Sequence, residues 1–374
     1  MLNVALPVFE VISVVLAIFP IPSHWRAKNI SMLMLVFWLI LGNLNNFINR
    51  VIWIKDADNK APGWCDISVK IMSMVTMGIP CAALCISIKL CRIASMRFKP
   101  RTMIERRNGA LIDLAWMIFT PIAYALLTLI NQGHRFNIVE GQGCQPAIYF
   151  TPVAAIVDYG LPLGISFISI LCSLMALGYF IVQKRNFEHV VSQSRCGLNT
   201  KRFIRMISFT IIDLMLTFPT LLANLGLELA YTPMFTYKSW NIVHQRFDDV
   251  WKYTADLFET PQGKRYLILS LFSAWALCAS GFMFYLVFGF SSDAFTDNSQ
   301  PCVTFKSLFV KDIDPMEVPS NINVGTEYEK QEMTFSGFLN IEASNDSIKC
   351  AQSDIESDMS DLSENSEHMN YPKE

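Results

Sequence analysis

The sequence predicts an all-α membrane protein: a seven-transmembrane-helix bundle with its N-terminus outside and a disordered cytoplasmic tail. Three observations carry this. Of 374 residues, 52% are hydrophobic and only 17% are charged, whereas soluble chains run about 45–50% and about 25%. Seven segments, near 4–21, 30–53, 67–91, 110–131, 151–182, 204–231 and 266–290, each hold the roughly 20 mostly apolar residues that a bilayer-crossing helix needs, because lipid satisfies no backbone polar group. Charge is also divided along the chain. Residues 1–290 carry 25 Lys+Arg against 15 Asp+Glu, and residues 291–374 carry 5 against 17. The net charge of −2 therefore sums a body of +10 and a tail of −12. Two regions follow, a seven-span domain over 1–290 and an acidic, Ser-rich tail over 291–374. A strongly basic nucleic-acid binder, a collagen and a small disulfide scaffold are excluded.

The first span carries Glu10 in its middle, has nothing basic before it and no small-residue cleavage site after it, so it reads as a retained helix and not a signal peptide. Orientation follows from basic residues, which stay on the cytoplasmic side. The first, third and fifth loops hold 15 Lys and Arg, against 9 in the second, fourth and sixth with Arg50 counted in the second. This places the N-terminus outside and the tail inside. Of ten cysteines, the topology exposes two to the oxidising exterior, Cys65 at the start of the third span and Cys144 in the second outer loop. They are expected to pair.

Enzymatic and photochemical chemistries lack their residues. The last span holds no Lys for a retinal Schiff base, and all five histidines fall in loops or the tail, so no metal site is expected. No Gly-x-Ser-x-Gly elbow, phosphate-cradling glycine loop or paired intramembrane aspartate appears. No cofactor is implied. What remains in the spans is a sparse set of ionisable groups, each costly to bury and so a candidate for function. Lys70, Asp158 and Glu228 lie in the outer halves of their spans. With Arg50, Asn45, Asn46 and Asn49 atop the second span and Tyr159 beside Asp158, they are candidates to line an outward cavity. Snorkelling to the interface, or a Lys70–Asp158 bridge, is the competing reading. Asp113 and Asp213 lie toward the inner side, where a carboxylate near Arg92 or Arg205 would tie inner helix ends together. Pro80, Pro121, Pro162 and Pro219 interrupt four spans, Pro219 being the candidate hinge.

The loops carry a family signature. The first inner loop reads Pro22-Ser23-His24-Trp25-Arg26-Ala27-Lys28-Asn29, and the second span ends Asn45-Asn46-Phe47-Ile48-Asn49-Arg50-Val51-Ile52-Trp53. The third span opens Trp64-Cys65-Asp66-Ile67. The second outer loop reads Gln132-Gly133-His134-Arg135-Phe136-Asn137-Ile138-Val139-Glu140 followed by Gly143-Cys144. Over roughly residues 1–290 the sequence resembles the fungal mating-pheromone receptors that detect farnesylated, a-factor-type lipopeptides, within the class D G-protein-coupled receptors. The Asp-Arg-Tyr signature of rhodopsin-like receptors is absent, since the third span ends Lys89-Leu90-Cys91-Arg92-Ile93-Ala94.

The resemblance implies a farnesylated peptide pheromone outside and a heterotrimeric G protein inside, with a homodimer left open. It also implies a plasma-membrane receptor whose outer cavity takes that peptide, with Lys70, Asp158, Tyr159, Arg50, Asn49, His134, Arg135, Glu228 and Trp240 as the candidates for ligand contact. Arg92, Arg97, Arg101, Lys201, Arg202 and Arg205 make a basic inner platform that suits a G-protein subunit or anionic headgroups. In the third outer loop, Trp240, Val243, Phe247, Trp251, Thr254 and Phe258 are spaced for an amphipathic surface helix. The Ser-, Asp- and Glu-rich tail from Ser344 onward buries too little apolar area to fold. It is expected to serve either as a phosphorylated regulatory segment that competes with the basic loops or as a solvated spacer. A transporter of a small or lipidic solute is the alternative function, and it would need a polar inner half for alternating access.

Overall fold

The structure, a computed structural model, describes residues 5–95, 103–191 and 200–289. Among these, seven helices are long and apolar enough to cross a membrane: Ala5–Arg26, Ile30–Ile52, Pro62–Ala94, Arg107–Asn131, Pro152–Val182, Phe203–Tyr231 and Gly263–Phe288. They fall on the seven segments read from the sequence, and all belong to one compact unit. The tail, residues 291–374, lies outside the described residues, as do Arg97 and Arg101.

The helices are α1 (Ala5–Ile18), α2 (Ile21–Arg26), α3 (Ile30–Ile52), α4 (Pro62–Ala94) and α5 (Met103–Leu127), then α6 (Pro152–Ala154), α7 (Leu161–Val191), α8 (Thr200–Tyr231), α9 (Trp240–Val243) and α10 (Pro261–Phe288). Pro20 separates α1 from α2 within the first span. In α1 the residues Leu6, Glu10, Ser13 and Ala17 form one buried stripe, while Val8, Val11, Ile12 and Val15 face outward. Lipid is as apolar as those outward side chains, so the inward stripe is held by close packing and polar contacts. Ser13 Oγ donates to the Cys278 carbonyl at 3.0 Å, and it does so across Gly281, where a Cβ would collide with that hydroxyl. Gly78 of α4 likewise admits the Trp38 indole of α3.

α4 is the most enclosed span and packs against both α3 and α5. Ser87 and Ser173 share a hydrogen bond of 2.8 Å between α4 and α7. Toward its C-terminal end Lys89 Nζ lies 2.8 Å from Asp113 Oδ2 on α5 and donates to Ser31 Oγ at 2.7 Å. Asp113 is thus partnered by Lys89.

Pro80, Pro121 and Pro219 lie inside continuous helices, whereas Pro162 follows a π-helical turn over Ala155–Gly160. Proline has no N–H to donate to the carbonyl four residues earlier, here that of Asp158. The Tyr124 hydroxyl fills the vacancy, donating to the Asp158 carbonyl at 2.7 Å.

One end of the bundle holds a small sheet in the order β2-β1-β3. β1 (Phe136–Val139) and β2 (Gly143–Gln145) pair antiparallel, with Ile138 opposite Cys144. β3 (Val250–Tyr253), from the connection between α8 and α10, pairs parallel to β1 with Phe136 opposite Val250 and Val139 opposite Tyr253. Here the structure departs from the surface helix that the spacing of Trp240 to Phe258 predicts. Helix is confined to α9 and to a 3-10 turn at Ala255–Glu259. The Val-Trp-Lys-Tyr run has strong β character, and the exposed side of β1 offers it backbone partners. Trp251 then stacks on His134 with ring centroids 4.2 Å apart. Beneath the sheet Trp53, Cys65, Val69, Phe136, Ile138 and Cys144 form a compact apolar cluster.

Candidate functional site

The disulfide Cys65–Cys144 closes 79 residues of chain and fixes β2 to the top of α4. Gly141 in the β1–β2 turn and Gly143 at the start of β2 both adopt positive φ, 75° and 83°, and a Cβ at Gly143 would press into the backbone of Asn49. The loop therefore lies directly on the end of α3. Arg135 reinforces the attachment with a two-pronged pair to Asp66, at 2.9 and 2.6 Å. Hydrogen bonding to that carboxylate holds the guanidinium above its usual pKa. His134 is buried under Trp251, and desolvation pushes its pKa below the ordinary histidine value despite the opposing hydrogen bond to Asn137.

Under this cap a cavity of about 250 Å³ is lined by α4, α5, the segment after β2, the π-helical turn, α8 and α10. Three of the residues proposed for ligand contact from the sequence line it: Lys70, Asp158 and Tyr159. Val69, Val75, Ile79, Leu221 and Leu277 supply an apolar wall, and Thr128, Gln132, Thr217, Thr220, Asn224 and Ser273 add polar groups. Lys70 and Asp158 do not bridge each other, contrary to the competing reading of the sequence. A 3-10 turn ending in Asn131 places two adjacent amides between them. Lys70 Nζ donates to Gln132 Oε1 at 2.9 Å, and Asn131 Nδ2 donates to Asp158 Oδ2 at 3.1 Å. The cavity wall thus presents a cation and an anion, each oriented by a neutral partner that has further hydrogen-bonding capacity.

The other ligand candidates stand elsewhere. Arg50 is buried in an ion pair, its Nε 3.0 Å from Oε1 of the fully buried Glu10. Its Nη1 donates to the Gly141 carbonyl at 3.1 Å. One side chain so joins α1, α3 and the outer loop. Asn49 donates to Ser68 Oγ at 2.7 Å and accepts from Trp64 Nε1 at 2.8 Å, tying α3 to α4. Glu228 accepts at 2.6 Å from Thr232, the residue just past the end of its helix. Trp240 is exposed and stacked on His244, whose Nε2 meets the Leu129 carbonyl at 2.9 Å. Away from the sheet, Arg92 is exposed at the end of α4 and Arg205 is half-buried on α8. The side chains of Lys201 and Arg202 lie outside the described residues.

Two cavity features had a signal in the sequence that the list of charged residues passed over. Thr217, Thr220, Leu221 and Asn224 recur at helical spacing on one face of α8, and Asn131-Gln132 is an amide pair at the mouth of a span.

Comparison with known proteins places the chain. A family model described as pheromone A receptor (STE3) matches residues 5–306. Pheromone receptor 1 of Ustilago hordei is 32% identical over 79% of this chain and 81% of its own length. Pheromone B alpha 1 receptor of Schizophyllum commune is 33% identical over 75% of this chain and 43% of its own. The pheromone a factor receptor of Saccharomyces cerevisiae is 26% identical over 81% of this chain and 62% of its own. With seven spans in the fold, a capped cavity at one end and a family match over most of its length, the chain belongs to the pheromone A receptor family (STE3), non-enzymatic seven-helix receptors that couple to G proteins.

Proposed function

We propose that this receptor detects a farnesylated peptide pheromone in the cavity between α4, α5, α8 and α10. Its capped end is extracellular and its tail cytoplasmic, in the plasma membrane. The observation that carries the reading is the composition of that cavity: a largely apolar wall with one ammonium and one carboxylate, Lys70 and Asp158, held apart by Gln132 and Asn131. A prenylated, methyl-esterified peptide end brings no carboxylate, so its chain suits Val75, Ile79, Leu221 and Leu277, while peptide amides and charges suit the Lys70 and Asp158 end. The printed name of the yeast relative, an a factor receptor, supports the same ligand class. The disulfide supports the orientation, because such bonds persist outside the cell and not in the cytosol.

On the opposite end, the basic loops meet the G protein. Arg92 is exposed there, and Arg97, Arg101, Lys201, Arg202 and Arg205 extend the same charge along the chain. Ligand in the cavity touches α8 and α10 together. It thereby acts on the helix that carries Pro219, and a helix with an internal proline has one backbone hydrogen bond fewer to break when it pivots.

Lys70→Ala and Asp158→Ala test the site. A hydrogen bond to a charged group contributes about 1.5–3 kcal/mol. Each variant is therefore expected to raise the half-maximal pheromone concentration by about ten-fold or more at unchanged surface expression. Wild-type potency in both variants would remove the cavity from consideration as the pheromone site.

A further inference from the structure

Below the cavity lies a carboxylate that the account so far does not use. Asp213 is on α8, one helical turn from the cavity-lining Thr217, and is 1% exposed. Neither of its carboxylate oxygens has a partner at ordinary hydrogen-bond geometry, the Ser280 hydroxyl standing close by, and no Lys, Arg or His pairs with it among the described residues. Ser280 of α10, which also lines the cavity floor, is its polar neighbour.

An ionised carboxylate so enclosed is strongly unfavourable unless a cation accompanies it. The donors available are hard oxygens, a carboxylate and a hydroxyl, a set that favours alkali and alkaline-earth ions over transition metals. Divalent ions are usually held by several carboxylates or by phosphates. Here there is one, and no group of three or more metal-binding side chains occurs among the described residues. The charge balance fits a monovalent ion.

We propose that Asp213 and Ser280 form a sodium site under the pheromone cavity and reached from it through Ser280, with water completing the shell of the ion. An ion held there joins α8 to α10, two of the helices that the pheromone touches from above, so occupancy favours the helix arrangement in which the pair is close. The proposal does not depend on which pheromone binds, and it is tested without one.

The test is thermal unfolding of the purified full-length receptor in detergent, in sodium chloride and in choline chloride at equal ionic strength. Sodium is expected to raise the wild-type midpoint saturably, by about 2–4 °C when the site is mostly filled. Asp213→Asn should abolish the difference between the salts. Ser280→Ala should move the half-saturating sodium concentration upward several-fold, and it decides the matter if the first variant fails to fold. Identical wild-type midpoints in the two salts would overturn the proposal and leave a proton as the charge-balancing ion. So would a sodium effect that persists unchanged in Asp213→Asn, or an unchanged sodium midpoint in Ser280→Ala.

Discussion

Arg50→Ala is expected to destabilise the receptor by about 3–5 kcal/mol, the cost of leaving a buried charge without its partner. Glu10 is fully buried in α1, and Arg50 is its ion-pair partner at 3.0 Å. The same guanidinium holds the Gly141 carbonyl at the turn between β1 and β2. Loss of Arg50 therefore loosens the outer loop as well as the α1–α3 contact. A lowered unfolding midpoint in detergent and reduced surface expression are the readouts. The double variant Glu10→Gln, Arg50→Met removes both charges and is expected to recover most of the loss, because a buried pair replaced as a unit costs far less than one broken in half. Wild-type stability in Arg50→Ala would show that Glu10 is carried neutral and needs no counter-charge.

Breaking Cys65–Cys144 is expected to cost about 2–4 kcal/mol and to abolish the pheromone response. The bond closes 79 residues and pins β2 over α4, where Pro146, Ala147 and Ile148 follow directly onto the cavity wall. In a membrane protein the spans stay inserted when the cap loosens, so the lost order falls mainly on the outer loop and the cavity mouth. Cys65→Ser, Cys144→Ser and the double variant remove one and the same bond. Their effects on stability are expected to agree within a few tenths of a kcal/mol. A double variant much worse than either single one would mean that the two cysteines act separately.

The spans were legible because a bilayer imposes a length and a composition that each segment must meet alone. Pairing between distant segments was not. Val250–Tyr253 becomes a strand because β1, more than a hundred residues earlier, offers it an edge, and no local periodicity records that offer. Arg50 illustrates a different gap. As a lone cation near the end of the second span it reads as a ligand contact, and only the depth of Glu10 on the neighbouring helix turns it into half of an ion pair. That match was recoverable in principle, since Glu10 is the one charged residue of the first span through Ile18. The Lys70 and Asp158 pair was recognised as a cavity feature, but the amides that separate them follow from a 3-10 turn that charge counting does not see. The π-helical turn before Pro162 is similar: the proline is plain in the sequence, while its compensation by Tyr124 comes from another helix.

One measurement bears most directly on the reading of this chain as a lipopeptide receptor. The protein is expressed in fungal cells that lack their own pheromone receptors and carry a G-protein-linked reporter, and a panel of candidate pheromone peptides is applied in farnesylated and unmodified forms. At least one farnesylated peptide is expected to trigger the reporter, with its unmodified twin weaker by orders of magnitude. Silence toward every farnesylated peptide despite surface expression, or equal responses to both forms of an active peptide, would contradict it.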